Sequence, residues 1–365
     1  SGERLTLTDG SARLTSSDIE LQFTPTQATL LAGADPYLQE LRGHVNLRLS
    51  DTSALSQYIE APIPALGPVT ASAGILQRGD KFSLQGLEAN VSGELLTIDA
   101  TGSIADLKDL SGIVVESRLS HVDTRSLLVG AIEDFHYQAD LGSLRGRFTL
   151  ANPGGAWRVS NIDIQSTEPG GRLDLALRGE LNELASDAQA NLAISLRARD
   201  TALLEALSGL PLNPVAANVR ITTTPGLLTL ASEARVGDTM LNAEADIVHQ
   251  ERELRSLRLA LQSPILSLAD FGLQADARGD REYRPVEKID DIEPGERLEA
   301  ILAHSPRYPT DITVNFNGIS GEHTTIQRLD MHMTGLDNRY TLRRFSLAYA
   351  DAEAEVRGII ELKPR

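Results

Sequence analysis

The sequence predicts an all-β, mainly antiparallel fold: a repetitive, elongated, curled sheet carrying a few short helices. Apolar residues alternate with polar or small ones along most of the chain, as in Val45, Leu47, Leu49; Leu173, Leu175, Leu177; and Leu257, Leu259, Leu261. A period of two lines one face of a strand with apolar side chains and leaves the other wet. Turn-forming groups punctuate these rows at Gly79-Asp80, Pro153-Gly154-Gly155, Pro169-Gly170-Gly171, Pro225-Gly226, Gly237-Asp238 and Asp337-Asn338, so successive strands read as hairpins. Helical signal is sparse and recurs at matching places.

In chain order, Leu5 and Leu7 open the first row, and Val45 to Leu49 complete a later one. Asp51-Thr52 then offers a helix N-cap before a short apolar stretch, which predicts a helix over 52–60. The same phrase at Asp123-Thr124 and Asp200-Thr201 predicts helices over 124–131 and 201–208; the three aspartates stand 72 and 77 residues apart. Gly102 and Gly179 each precede their aspartate by 21 residues. A Pro/Gly/Leu stretch follows the first and third copies, at 61–68 and 209–214, and a weaker fourth copy lies at Leu266–Phe271. A repeat of this length is one supersecondary unit copied along an axis.

A second phrase recurs: two apolar positions, a two-residue gap, then two more. It reads Phe82, Leu84, Leu87, Ala89; then Trp157, Val159, Ile162, Ile164; and more loosely Leu342, Phe345, Leu347, Tyr349. The gap would flip the faces of a regular strand. A bulge returns the apolar row to one side and bends the sheet; a hairpin at the gap is the alternative. Residues 276–309 break the rhythm as a charged, turn-rich connector with a helix expected over 296–304. The chain thus divides into a β-repeat array over 1–275, the connector over 276–309, and a C-terminal β unit over 310–365.

Composition narrows the function. Among 365 residues, 51 are acidic and 34 basic, a net charge of −17 that repels phosphate backbones and argues against nucleic acid. No cysteine is present, which excludes disulfides, thiolate metal sites and cysteine nucleophiles. The seven histidines lack metal-ligand spacing, and no nucleophile elbow, Walker loop or dinucleotide-binding turn occurs. Asp290, Asp291, Glu293, Glu296 and Glu299 cluster in the connector, but without the ligand order of a calcium loop. No catalytic residue, metal ligand or cofactor is expected. No apolar run reaches the roughly 20 residues of a spanning helix, and no signal peptide is visible. The chain begins at Ser1, so a segment of a longer protein is expected.

An array of amphipathic hairpins must cover its apolar rows. Two sheets can close face to face into a sandwich, or one curled sheet can stay open as a hydrophobic groove. For the groove, the candidate lining is Phe82, Leu84, Leu87, Ile113, Val115, Leu119, Trp157, Val159, Ile162, Ile164, Leu173, Leu175, Leu177, Leu192, Ile194 and Leu196. Aliphatic side chains dominate it, which suits flexible hydrocarbon better than flat rings or sugars. Trp157, the only tryptophan, is expected to share the face of Leu173, Leu175 and Leu177 across the Pro169-Gly170-Gly171 turn.

Three stretches resemble the AsmA-like repeat of Gram-negative envelope proteins. One runs from Leu203-Leu204-Glu205-Ala206-Leu207 through Leu228-Thr229-Leu230 to Leu241–Ile247. The others are the strand–turn–strand segment Gly102–Ile113 and the closing stretch from Tyr340 to Leu362. The likeness covers residues 28–275 and 310–363, without the family's N-terminal inner-membrane helix. It implies a non-enzymatic periplasmic segment, anchored to the inner membrane in the full-length protein. Its groove would bind phospholipid or another acyl lipid and support transport from inner to outer membrane and outer-membrane biogenesis. The alternative is a structural or assembly module, a periplasmic scaffold pairing with other β-proteins around a closed sandwich core.

Overall fold

The computed structural model describes residues 3–7, 10–32, 37–57, 65–93, 96–126, 137, 139–168, 170–183, 189–208, 210–250, 253–272, 308–321, 325–336 and 339–361. The fold is all-β, with open, mainly antiparallel sheet throughout. Two compact units divide the chain, Ser1–Leu192 and Ala193–Arg365.

The first unit holds β1 (Glu3–Leu7), β2 (Ala12–Thr15), β3 (Ile19–Ala32), β4 (Tyr37–Leu49), β5 (Val69–Arg78) and β6 (Lys81–Ser92). It continues through β7 (Leu96–Asp106), β8 (Ser111–Asp123), β9 (Ser143–Asn152), β10 (Arg158–Ser166) and β11 (Leu173–Asn182). From β3 to β11 each strand pairs antiparallel with its successor in the chain. β1 and β2 share the outer edge of β3. β12 (Gln189–Ala198) straddles the boundary between units.

The second unit opens with α1 (Thr201–Ser208), which buries Leu203 and Leu204. β13 (Val215–Thr224), β14 (Leu227–Val236), β15 (Thr239–Gln250) and β16 (Glu253–Ser263) form an antiparallel meander. After a break at Pro264 come β17 (Leu266–Ser267) and a 3-10 turn, Leu268–Phe271. β18 (Thr310–Phe316) then pairs parallel with β16, Leu257 opposite Thr310, and β19 (Ile319–Ser320) pairs parallel with β17. β20 (Thr325–Leu336), β21 (Arg339–Tyr349) and β22 (Ala352–Glu361) complete a second antiparallel meander. The strands after residue 310 share one unit with β13–β16 and join them through the parallel β16–β18 pairing. Most of the expected connector, with the helix at 296–304, lies outside the described residues.

The recurring Asp-Thr phrase is a capping device. Asp51 Oδ1 accepts the Ser53 N–H at 2.8 Å, Asp123 Oδ1 the Arg125 N–H at 3.2 Å, and Asp200 Oδ1 the Ala202 N–H at 3.0 Å. A 3-10 turn at Thr52–Gln57, helical turns over 124–126, and α1 follow these caps. Four strands separate one cap from the next, so the 72- to 77-residue period is a four-stranded antiparallel unit plus a capped turn. Asp51 also accepts the Gly67 N–H on Oδ2 at 2.8 Å, which ties the entry of β5 to the exit of β4.

The two-residue gaps are bulges in all three places. Register shifts fall between Leu84 and Leu87, between Val159 and Ile162, and between Leu342 and Phe345. Gly86 and Asn161, inside the first two gaps, take left-handed backbone with φ of 57° and 53°. Glycine and asparagine are the residues that enter this region at least cost.

At the strand ends of the second unit, Asp270 closes the edge. It is 5 % exposed, and its Oδ2 accepts the Thr239 N–H at 2.9 Å, the Thr239 hydroxyl at 2.8 Å and the Asp238 N–H at 3.1 Å. Oδ1 accepts the Asn213 amide at 2.7 Å, and the Asn213 N–H donates to the Asp270 carbonyl at 2.9 Å. Gly237 packs so close that a Cβ there would meet Asp270 Oδ1 at 2.1 Å. Burial works against the charged carboxyl, but the donors from Asn213, Thr239 and Asp238 outweigh it and hold the pKa below the ordinary aspartate value. The carboxylate thus contributes stability above its unfolded-state pKa of about 4 and loses it as pH falls through the lower folded value. Asp270→Asn would put an NH₂ group against backbone N–H donors. It should cost about 2–3 kcal/mol at pH 7 and flatten the fall in melting temperature between neutral pH and pH 3. Thermal unfolding of both proteins across that range checks this.

Candidate functional site

In the second unit the registers assemble one continuous apolar face. Val219 and Ile221 on β13 stand beside Ser232 and Leu230 on β14. Leu228 and Leu230 stand beside Ile247 and Ala245 on β15, and Ala243, Ala245 and Ile247 beside Leu261, Leu259 and Leu257 on β16. Across the parallel pair, Leu259 and Leu261 meet Ile312 and Val314, which meet Met333 and Met331 on β20. Met331 faces Phe345 on β21, and Phe345 faces Val356 on β22. The bulge at Arg343-Arg344 keeps Phe345 and Leu347 on this side after Leu342.

The opposite face is polar in the same registers. Thr222, Thr229, Asp246, Arg258, Asp311 and Thr334 follow one another across six strands. Polar contacts lace it: His332 Nε2 lies 3.2 Å from Asp311, and the Arg328 guanidinium lies 2.6 Å from Glu353.

Burial separates an open face from a sandwich. Leu228, Leu230, Ala245, Ile247, Leu257, Leu259, Ile312, Val314, Met331, Met333 and Phe345 are all half-buried. A second sheet packed on top would bring such aliphatic side chains to full burial. The fully buried apolar residues of this unit, among those described, are Ala198, Leu203, Leu204, Val236, Ile319 and Tyr340, toward strand ends and the helix.

The first unit repeats the pattern. Leu87 faces Gly102 on β7, which faces Val115 on β8, which faces Leu150 on β9. Phe82, Leu84 and Leu87 therefore share a side, as do Ile113, Val115 and Leu119. Val159, Ile162 and Ile164 stand opposite Leu181, Gly179 and Leu177. A core cluster of Leu119, Val122 and Leu144, with Leu96, Ile98, Phe148, Ile164 and Leu175 against it, brings candidate residues from β8, β10 and β11 together. Ile113, Leu119, Ile162 and Leu173 are fully buried there, so this unit's face is more closed than the second unit's. Leu192, Ile194 and Leu196 alternate along β12 and are half-buried.

Trp157 lies outside the strands. It precedes β10 by one residue and is half-buried in the β9–β10 connection. The register pairs Arg158 with Asn182, so Trp157 lies at the far end of the hairpin from Leu173 and the Pro169-Gly170-Gly171 turn. The spacing Trp157-x-Val159 has the correct period, but the strand does not extend that far.

Sequence reasoning also overlooked most of the second unit. Leu257, Leu259 and Leu261 read as a strand, but Leu230, Ala245, Ile312, Met331 and Met333 carry the same period of two and complete the face. Met331 and Met333 supply adaptable thioethers at its middle.

Glycines fit the first unit's apolar side where strands approach closely. A Cβ at Gly102 would meet the Val114 carbonyl oxygen at 2.1 Å, one at Gly146 the Asp163 carbonyl oxygen at 2.3 Å, and one at Gly179 the Asn191 carbonyl oxygen at 1.9 Å. Such close approach of backbones beside bulges bends a sheet. A hollow of about 750 Å³ opens on the polar side of β3–β7, lined by Glu20, Asn46, Arg48, Glu88, Asn90 and Asp99 among others. Its hydrogen-bonding walls differ from the apolar rows, and it is no part of them.

Among the described residues, no group of three or more His, Asp or Glu could hold a metal ion, and no helix is long and apolar enough to cross a membrane. No family model matches the chain, and no match was found among curated proteins or solved structures.

Gly102→Val should force the β7–β8 ladder apart and lower stability by about 2–3 kcal/mol. Gly154→Ala, at a turn with nothing within 4 Å of the added Cβ, should change it by less than about 0.5 kcal/mol. Urea unfolding curves of the two variants provide the comparison.

Proposed function

We propose that the chain is a non-enzymatic lipid-binding module that holds phospholipid, or another acyl lipid, by its chains along the open apolar face. On this reading it is the periplasmic segment of an inner-membrane-anchored envelope protein. It supports passage of lipid from inner to outer membrane and outer-membrane biogenesis, as the AsmA-like resemblance implies. The observation that carries the reading is the apolar row across the second unit, from Ile221 on β13 to Val356 on β22, half-buried for most of its length and backed by a polar face. Acyl chains gain about 0.8 kcal/mol per buried CH₂ from such a surface. No directional polar contact is needed, and hydrocarbon can shift along the rows without breaking hydrogen bonds. The acidic surface keeps the remainder in water.

The test is whether purified protein carries phospholipid by mass spectrometry, and whether delipidated protein binds a fluorescent two-chain phospholipid. Leu230→Asp combined with Leu259→Asp should abolish co-purified lipid. Loss of contact with two or three methylenes, about 2 kcal/mol, corresponds to roughly 30-fold weaker binding. Asn242→Asp, on the polar face, should leave both unchanged. Circular dichroism should show the same strand content in all three proteins. Lipid-free wild-type protein that fails to bind the probe, or equal binding by the double variant, overturns the reading.

A further inference from the structure

The polar hollow of the first unit is floored by two rows of side chains that cross β3 to β7 on the face opposite the apolar rows. Register sets Glu20 beside Arg48, then Thr70, Asn90 and Asp99, in the first row. Two residues along each strand, it sets Gln22 beside Asn46, then Ser72, Glu88 and Thr101, in the second. Every member of both rows lines the hollow; the rest of the lining is Leu47, Ala71, Ala89 and Ala100, from the intervening positions. Bulges stand close to the second row. Register shifts fall between Pro25 and Gln27, between Ser72 and Gly74, and between Leu84 and Leu87, in three of the four ladders that the hollow crosses. Bulges bend the strand and re-aim side chains, and they gather next to active sites for that reason.

The hollow is long and narrow. Five strands about 4.8 Å apart span roughly 19 Å, so a volume of about 750 Å³ leaves a cross-section of about 40 Å². A single chain of ring-sized units fits such a trough. Its chemistry suits an uncharged molecule rich in hydroxyls. Asn90 Nδ2 donates to Asp99 Oδ1 at 2.8 Å, and Arg13 holds Glu20 at 2.6 Å. The other polar side chains of the hollow make no hydrogen bond or ion pair among the described residues. They are the amides of Gln22 and Asn46, the hydroxyls of Thr70, Ser72 and Thr101, the Glu88 carboxylate and the Arg48 guanidinium. Donors and acceptors are interspersed along the trough, and the two uncommitted charges cancel. A sugar hydroxyl both donates and accepts, so it can use either kind of wall. The net charge of −17 works against a phosphorylated or sulfated chain.

We infer that this hollow binds a neutral, linear oligosaccharide of about four sugar units laid across β3–β7, each unit about as long as one strand spacing. The site lies on the face opposite the apolar rows and stands whether or not those rows hold lipid. Among the described residues no aromatic ring lines it, so hydrogen bonds alone hold the sugar. Each of them replaces one to water and adds little net free energy, which puts Kd on the order of 1 mM.

Ligand-observed NMR on the whole chain tests this. The probes are maltotetraose, cellotetraose and N-acetylchitotetraose, each with its disaccharide. At least one tetrasaccharide should bind saturably, and at least fivefold more tightly than its disaccharide. Arg48→Ala with Glu88→Ala should weaken that binding at least tenfold, and so should Asn46→Ala with Thr101→Ala. Arg220→Ala, on the polar face of the second unit, should leave it unchanged. All five side chains are exposed, so circular dichroism should show wild-type strand content in each variant; if one pair alters it, the other pair still reads the site. The inference is overturned if no tetrasaccharide binds saturably at ten times the expected Kd. Equal binding by the hollow variants overturns it, as does equal binding of tetrasaccharide and disaccharide. Tighter binding of a sulfated heparin tetrasaccharide than of every neutral one overturns it as well.

Discussion

Register is the constraint on which the rest depends. In a sheet whose side chains alternate with a period of two, one residue of slip moves every apolar group to the wet face. The ladders of this protein hold a single assignment through hairpin after hairpin, and even through the parallel β16–β18 pair, where Leu259 still meets Ile312 and Leu261 meets Val314. Where the strands must bend, the bulges at Gly86, Asn161 and Arg343 absorb a residue and return the row to its side. A bulge is therefore a register device as much as a bending device here. Without it, Leu87, Ile162 and Phe345 would face water and the apolar face would be interrupted.

Most of this was legible in the sequence because the signal is periodic and local. The rows at Val45 and Leu173, the capping aspartates at 51, 123 and 200, and the two-residue gaps all involve residues a few positions apart. What escaped was non-local. The Asp270 carboxylate joins Asn213, Asp238 and Thr239 across 31 to 57 positions, and only the folded edge assembles those donors. Trp157 marks the opposite limit. A correct local period was extended one residue past the end of a strand, where pairing and not periodicity sets the limit. The candidate face was read mainly from the first unit, because its leucine triplets are vivid. The second unit's contribution is carried by Ala245, Met331 and Ile312, which look unremarkable until the strands are set side by side.

The two units also divide their roles. In the first, Leu119, Val122 and Leu144 close into a small core with full burial. In the second, burial concentrates at α1 and the strand ends, and Asp270 fixes the edge by hydrogen bonds. An open sheet must find its rigidity somewhere other than a deep core. Here it comes from ladders, caps and a buried carboxylate at the margins.

The parallel joint between β16 and β18 has a consequence for how the chain folds. Almost every other ladder couples neighbours joined by a short connection, so structure can zip from hairpin to hairpin with little entropy lost per step. Leu257 and Thr310 are 53 positions apart in the chain and must nonetheless align. The meander β18–β22 can form by itself, but it has to search for β16 as a finished piece. The slow event in folding is accordingly this docking, and until it occurs the outer edge of β16 is an unpaired strand with Leu257, Leu259 and Leu261 in view. The molecule is thus most prone to mispairing in its middle during folding.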